Sequence, residues 1–257
     1  MKPVRGQRND PPCVSNDGFA LSGPDGRLTA MGPTSRQSDR PETPSNLRPD
    51  QRKARYYESH KLRPAVAAWY YRQIGPARRI LDLGCGSGEF GRYRPSAAME
   101  IHGIDVDQAA VAYAARHEIA VQGNLDETEL PYEADFFDAV LARDILEHLQ
   151  APWLTLREVI RVLQPGGRVV ASVVMAKPQA VWADYTHVRG FTRDSVALMF
   201  RDQGFDVDSV RPMGGIPLTS RLGLLDQVPY LLRLPLVGRR WATSWEIRAH
   251  RPVRPAS

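Results

Sequence analysis

The stretch Ile80-Leu81-Asp82-Leu83-Gly84-Cys85-Gly86-Ser87-Gly88-Glu89-Phe90-Gly91 constrains the fold of this chain more than any other. It reads as a buried strand, a glycine turn and the opening of a helix. A second apolar run, Ile101 to Ile104, ends on the carboxylate of Asp105. In that order, strand, turn, helix and acid let an open α/β sheet hold the nucleoside part of a cofactor. The glycines allow the backbone to approach the ligand, the helix N-terminus faces an anionic group, and the acid accepts from ribose hydroxyls.

Composition divides the chain. Residues 1–52 are crowded with Pro, Gly, Ser, Asp and Arg, as in Asn9-Asp10-Pro11-Pro12 and Ser22-Gly23-Pro24-Asp25-Gly26, and hold no periodic apolar run. Such a segment cannot bury enough apolar surface to offset its chain entropy, so it reads as a disordered N-terminal extension. Residues 53–257 then form one domain. The net charge of +5 rests on arginine far more than lysine. It admits an anionic substrate, a membrane surface or nucleic acid without selecting among them. Cys13 lies in the extension and Cys85 in the glycine turn, so no disulfide framework is indicated and a reducing cytoplasm is expected. The N-terminus lacks a secretory apolar core, and no run reaches the ~20 apolar residues of a membrane span.

Periodicity predicts strands and helices in alternation. Pro64 suits a first helical turn, with Val66, Trp69, Tyr70 and Ile74 on its apolar face until Gly75-Pro76. Strands are expected at Arg79–Leu83, Glu100–Asp105, Ile119–Gln122, Phe137–Ala142, Arg168–Val174, from Phe205 to Val210 and near Ser244–Ala249. Asp107 and Thr192 suit helix N-caps. A helix presenting Trp153, Leu156, Val159, Ile160 and Leu163 is expected before the turn Gln164-Pro165-Gly166-Gly167. This alternation argues for a parallel sheet wound on both sides.

Two descriptions compete for the glycine turn. Gly86-Ser87-Gly88-Glu89-Phe90-Gly91 satisfies the dinucleotide pattern, which would make the chain a nicotinamide-dependent oxidoreductase. The fuller description is Asp82-Leu83-Gly84-Cys85-Gly86-Ser87-Gly88, an acid followed by three alternating glycines. An acid at the end of the first strand would repel a pyrophosphate and attract a cationic amine or sulfonium. On these residues the chain resembles the class I S-adenosylmethionine-dependent methyltransferases. Gly103-Ile104-Asp105, Gly123-Asn124-Leu125-Asp126, Phe137-Asp138-Ala139-Val140, Asp144-Ile145-Leu146-Glu147-His148-Leu149 and Leu163-Gln164-Pro165-Gly166-Gly167-Arg168 extend the resemblance in the family's order.

The resemblance implies a Rossmann-like, doubly wound sheet of seven strands with the last antiparallel, and S-adenosylmethionine as cofactor. It implies that Gly84, Gly86 and Gly88 line the methionine and ribose portions and that Asp82 helps hold the methionine amine. By the same resemblance Asp105 accepts both ribose hydroxyls, with Val106 packing on the adenine and Asn124 and Leu125 at its edge. Many relatives carry Asp where Asn124 stands, yet an amide can still accept from the adenine amino group. Ala142 and Arg143 would present backbone carbonyls to the amine.

Methyl transfer from a sulfonium is an in-line displacement with a neutral leaving group, so the protein mainly aligns the acceptor and excludes water. Such chemistry belongs outside the carboxyl ends of the strands. After the fourth strand stands Asp144, open to two roles, catalysis or N-capping of a helix, with His148 one turn on. After the fifth, Trp182-Ala183-Asp184-Tyr185-Thr186-His187-Val188-Arg189-Gly190-Phe191-Thr192 resembles the Asp-x-Thr-His-x-Arg-x-Phe/Tyr-Thr segment of many bacterial methyltransferases. His187 is the candidate base, because imidazole titrates near neutrality, and loop fixation by a bond to Asp184 or backbone is its other reading. Asp184 and His187 have the spacing of a metal pair, but no third ligand stands near them in the chain, so no metal is expected.

Tyr56 and Tyr57, with Trp69 and Tyr70, are candidates for a lid or for packing on the sheet. Residues 228–241 mix apolar side chains with arginines; they suit a lid, a peripheral membrane contact or a packed connection. The expected activity is methyl transfer to a small-molecule acceptor, at an oxygen of a saccharide-, lipid- or natural-product-type metabolite. No nucleic-acid partner is expected, since no RNA-binding module is visible, although the basic charge leaves RNA methylation as the alternative.

Overall fold

The computed structural model describes residues 62–127, 129–214 and 242–253. The extension 1–52, Tyr56, Tyr57 and residues 228–241 lie outside the described residues.

Seven strands form one sheet: β1 (Arg79–Leu83), β2 (Glu100–Asp105), β3 (Ile119–Gln122), β4 (Phe137–Arg143), β5 (Leu163–Val174), β6 (Asp206–Met213) and β7 (Ser244–His250). Their order across the sheet is β3-β2-β1-β4-β5-β7-β6. The five strands β1 to β5 pair in parallel, and β7 enters antiparallel between β5 and β6. The strand order reverses at β1, so the ends of β1, β2 and β4 open on one crevice, where open α/β sheets bind ligands.

Both faces of the centre are buried, as the apolar runs require. Alternation along the strands sends Leu81, Leu83, Val140, Val169 and Ala171 to one face, and Phe137 joins them across the irregularity in the β4–β5 ladder. There they meet α4 (Pro152–Val162) and α6 (Arg193–Asp202). Ile80, Ile101, Ala139, Leu141 and Val170 point to the other face, against α1 (Pro64–Ile74). Shorter helices α2 (Glu89–Arg92), α3 (Gln108–Ala114) and α5 (Pro178–Val181) complete the described residues.

The caps follow the sequence. Asp107 accepts from the Ala109 amide, and Thr192 forms a reciprocal capping box with Ser195.

Four expectations are corrected. The buried face of α1 carries Ala67, Tyr70, Tyr71 and Ile74, while Val66 is exposed, because Tyr71 stacks on Phe90 at 4.2 Å and donates to its carbonyl at 2.8 Å. Trp153 is 42% exposed beside Arg189, and Thr155 takes its place inward by donating to the Leu125 carbonyl. β5 begins at Leu163, which already pairs with Phe137; Gln164-Pro165-Gly166-Gly167 is a bulge in that ladder, not a separating turn. No helix starts at Asp144, for reasons given below.

Gly88 shows why the turn needs glycine. It sits at φ +74°, and a Cβ there would lie 2.7 Å from the Ala114 backbone at the end of α3. Both the left-handed backbone and the close approach exclude a side chain. Gly88→Ala is expected to lower unfolding free energy by about 1–3 kcal/mol in chemical denaturation. A loss under about 0.5 kcal/mol would contradict this account of the turn.

Candidate active site

The crevice is built from the strand ends inward. After β1 the chain turns over the tip of β2, where the amides of Gly84 and Cys85 both donate to the Ile104 carbonyl at 2.8 and 3.1 Å. Gly84, Gly86 and Gly88 all have positive φ. Asp105, at the end of β2, ties the turn to its own loop: one carboxylate oxygen accepts from the Gly86 amide and the other from the Asp107 amide, each at 2.9 Å. A carboxylate has about four lone-pair sites, so these two bonds leave acceptor capacity for diol hydroxyls. Val106 follows, 62% exposed with its side chain free to meet a flat ring.

Asp82 is buried beneath this turn. Burial raises its carboxyl above the ordinary range; Arg143 opposes the rise and Asp105 adds to it. Glu118, which leads into β3, is buried nearby and accepts from the Gly91 amide at 2.8 Å. Burial and then the Asp82 charge raise its carboxyl as well. The same surroundings push the Cys85 thiol up, which makes it a small packed residue and a poor nucleophile. The crevice floor therefore holds two carboxyls that burial keeps toward their neutral forms and that ionise only against an opposing charge. A cationic ammonium or sulfonium would supply that charge, and a diphosphate would not.

Asn124 accepts from the Asp126 amide at 3.1 Å, which holds the loop after β3 beside the crevice. Leu125 follows, its side chain packed in the core and its carbonyl accepting from the Thr155 hydroxyl at 2.9 Å. Ala142 is fully buried at the end of β4. Arg143 approaches Asp144 at 3.8 Å.

Asp144 does not cap a helix. Its backbone is left-handed at φ +52°, its amide donates to the Ser172 carbonyl at 3.0 Å, and its carboxylate accepts from the Ser172 hydroxyl at 2.8 Å. Ser172 accepts in turn from Tyr70 at 3.2 Å. This chain of bonds ties α1, β5 and the end of β4 together. Only a single turn follows, closed by the His148 amide on the Ile145 carbonyl at 3.0 Å. A side chain that satisfies Ser172 across the sheet is withdrawn from the local amides that a cap must serve.

That turn brings His148 to the loop after β5. Thr186 donates its hydroxyl to Asp184 at 2.7 Å and its amide to the same oxygen at 2.9 Å. The Thr186 hydroxyl lies 3.0 Å from His148 Nδ1. His187 Nδ1 lies 2.8 Å from the Val181 carbonyl, and the two imidazole rings are 4.7 Å apart. Burial and the neighbouring His187 lower the pKa of His148. The expectation that Asp184 and His187 have no third potential ligand near them is corrected here: His148, remote in sequence, faces both.

Glu147 was missed by sequence reasoning. It is 1% exposed and accepts from the Val174 amide at 3.1 Å, while its own carbonyl accepts from the Val188 amide, which pins the turn after β4 to β5 and to the loop that follows β5. Its signal was an acid inside the apolar run Ile145-Leu146-Glu147-His148-Leu149. Glu118 had no comparable signal, since its burial depends on glycines at 91 and 103 that leave room for its side chain.

A doubly wound sheet with a glycine turn and carboxyls at its switch point is the architecture of nucleoside-binding α/β proteins. Residues 50–210 match the family described as a methyltransferase domain. The chain belongs to the class I S-adenosylmethionine-dependent methyltransferases, and S-adenosylmethionine is its cofactor. It is similar to the ubiquinone biosynthesis O-methyltransferase of Pseudomonas fluorescens, 28% identical over 199 residues that cover 69% of this chain and 86% of that protein. A Pseudomonas putida protein of the same name is 27% identical over the same coverage.

Among solved structures, a putative methyltransferase of Haloferax volcanii in complex with the Trm112 activator superposes with a TM-score of 0.61. It is 20% identical and covers 81% of this chain and 97% of that one. An Archaeoglobus fulgidus S-adenosylmethionine-dependent methyltransferase gives a TM-score of 0.59 at 17% identity, covering 73% and 92%. The 4+2 cyclase SpnF shares the fold at a TM-score of 0.56 and 22% identity, covering 74% and 82%. A shared fold therefore does not by itself name the reaction.

Two predictions follow from the buried carboxyls. A cationic ligand favours ionised Asp82, so binding releases protons. Affinity for S-adenosylmethionine in calorimetry is expected to rise from about pH 5.5 to about pH 7, with Asp82→Asn flattening the rise. A pH-independent affinity in the unmodified protein would contradict it. Glu118 has a folded pKa above its ordinary 4.5, so the folded state binds the extra proton and loses stability as pH rises through and beyond that value. Glu118→Gln should match the unmodified protein near pH 4 to 5 and melt higher than it at about pH 9; parallel curves would refute the buried, protonated acid.

Proposed function

We propose that this chain methylates an oxygen of a small-molecule acceptor, a saccharide-, lipid- or natural-product-type metabolite. The observation that supports it most is the His148–Thr186–Asp184 and His187–Val181 arrangement beyond the ends of β4 and β5. A hydroxyl is a poor nucleophile until its proton has somewhere to go. When bound, the cofactor supplies an electrophilic methyl group on a cationic sulfur with a neutral leaving group. The chain's residues then align the oxygen and take its proton.

His187 is the residue for that proton. Its Nδ1–H donates to the Val181 carbonyl, which leaves Nε2 as the lone-pair nitrogen. Asp184 holds Thr186 and favours positive charge on His148. Asp144 acts at a distance, through Ser172, by holding the end of β4 where Ala142 and Arg143 face the amine. In the same loop Trp182 and Tyr185 are 70% and 96% exposed, which offers ring faces to an aromatic or apolar acceptor. The Pseudomonas relatives, named as O-methyltransferases of ubiquinone biosynthesis, favour oxygen over nitrogen.

The test is mass spectrometry of phenolic, catecholic and glycoside acceptors incubated with the protein and methyl-labelled cofactor. A labelled methyl ether is expected; label confined to nitrogen, carbon or RNA would overturn the reading. His187→Ala is expected to lower turnover by about 100-fold or more while leaving cofactor affinity within about twofold. An unchanged rate per folded molecule would remove His187 from the chemistry.

A further inference from the structure

We propose that His148, Asp184 and His187 form a binding site for one divalent transition-metal ion of the zinc or cobalt type. One nitrogen from each imidazole and one carboxylate oxygen lie within 4.8 Å of one another. The three come from two separate segments, the turn after β4 and the loop after β5, so their convergence is a product of the fold and not of a local sequence repeat.

Proton accounting shows which atoms are left. The single proton of the Thr186 hydroxyl goes to Asp184, so the contact at 3.0 Å requires His148 Nδ1 to be the donor to Thr186. The Thr186 carbonyl, 3.3 Å from the same nitrogen, accepts from it as well. His187 Nδ1 likewise donates to the Val181 carbonyl. Both rings are thereby held as tautomers whose Nε2 carries a bare lone pair. Histidines that bind metals have their second nitrogen bonded to a carbonyl or another acceptor in this way. Asp184 spends one oxygen on Thr186 and keeps the other. Two imidazoles and a carboxylate make a ligand set of borderline softness, suited to zinc, cobalt or nickel rather than calcium. Three protein ligands leave a position open.

The cluster is looser than a loaded site. Ligands on one tetrahedral zinc ion lie about 3.4 Å apart, so a separation of 4.8 Å has to close by about 1.4 Å. Asp184 and His187 sit in a loop without regular secondary structure, where side-chain rotation can supply that movement. Arg189, the cation nearest in sequence, is turned away to the Gln150 carbonyl and the Trp153 ring and does not oppose a second positive charge.

What the ion does for catalysis rests on the function proposed above; its binding does not. His187 cannot hold an ion and take a proton with one lone pair. In the loaded protein an acceptor hydroxyl at the open position would have its pKa lowered by the metal and would release its proton to solvent, in place of transfer to the imidazole.

The experiment uses the full, untagged chain, stripped with a chelator and then titrated with Co2+ while visible absorption is followed. Zinc stoichiometry is measured after gel filtration. One equivalent per chain is expected, with affinity lowered at least about 10-fold in His148→Gln, Asp184→Asn and His187→Gln and unchanged in His250→Gln. X-ray absorption of the zinc-loaded, unsubstituted protein supplies a readout independent of variant folding, and two imidazoles with oxygen are expected. Absence of stoichiometric binding, affinity equal in all variants, or a sulfur-dominated shell would overturn the site. Ion binding without methylation of any oxygen acceptor would remove the proposed function and leave the site; methylation by a chain that binds no ion would do the reverse.

Discussion

The structure turns on two carboxyl groups, Asp82 one residue before the end of β1 and Asp105 at the end of the neighbouring parallel strand β2. Their charges oppose each other, and one of them is buried. A sheet wound on both faces pays for such an arrangement only where a ligand can return the lost solvation. The glycine turn is the complementary device. It folds over the tip of β2, accepts a left-handed path at three positions and is tied to Asp105 through the Gly86 amide. Turn and carboxyls together suit the cofactor of the family, a nucleoside bearing a positive centre.

From this end of the sheet the rest of the site is assembled by ties between strand tips. The Tyr70–Ser172–Asp144 chain of bonds joins α1 to β5 and β4, and buried Glu147 joins the turn after β4 to β5 and to the loop that follows β5. These ties set where His148, Asp184 and His187 stand relative to the crevice. His187 is held through Nδ1 by the carbonyl of Val181, the last residue of α5, and His148 through Nδ1 by the Thr186 carbonyl and hydroxyl in the loop beyond it. If this loop receives the acceptor as proposed, small changes of its sequence would retune chemistry without disturbing the glycine turn.

Much of the fold was legible because each parallel strand is a short apolar run bounded by glycine, proline or an acid. Arg79–Leu83, Glu100–Asp105 and Ile119–Gln122 are bounded as their sequence suggests, and Asp107 and Thr192 cap as their chemistry suggests. The departures share a cause: a tertiary partner outbid a local rule. Asp144 prefers Ser172 across the sheet to the amides ahead of it. Tyr71 displaces Val66 from the buried face because Phe90 offers a ring to stack on. Leu125 and Thr155 turn inward together, leaving Trp153 to Arg189. At the site, the glycines and Asp105 announced themselves by spacing. The third member of the imidazole–carboxylate cluster did not, because His148 and Asp184 meet only when β4 and β5 lie side by side.

The central claim is that a sulfonium nucleoside, and no dinucleotide, occupies the crevice over β1 and β2. A crystal structure of the protein soaked with equal amounts of S-adenosylmethionine and NADH tests it most directly. The account predicts the ribose hydroxyls on Asp105 and the methionine amine beside Asp82. A nicotinamide dinucleotide in that crevice, its diphosphate against Asp82, would contradict it.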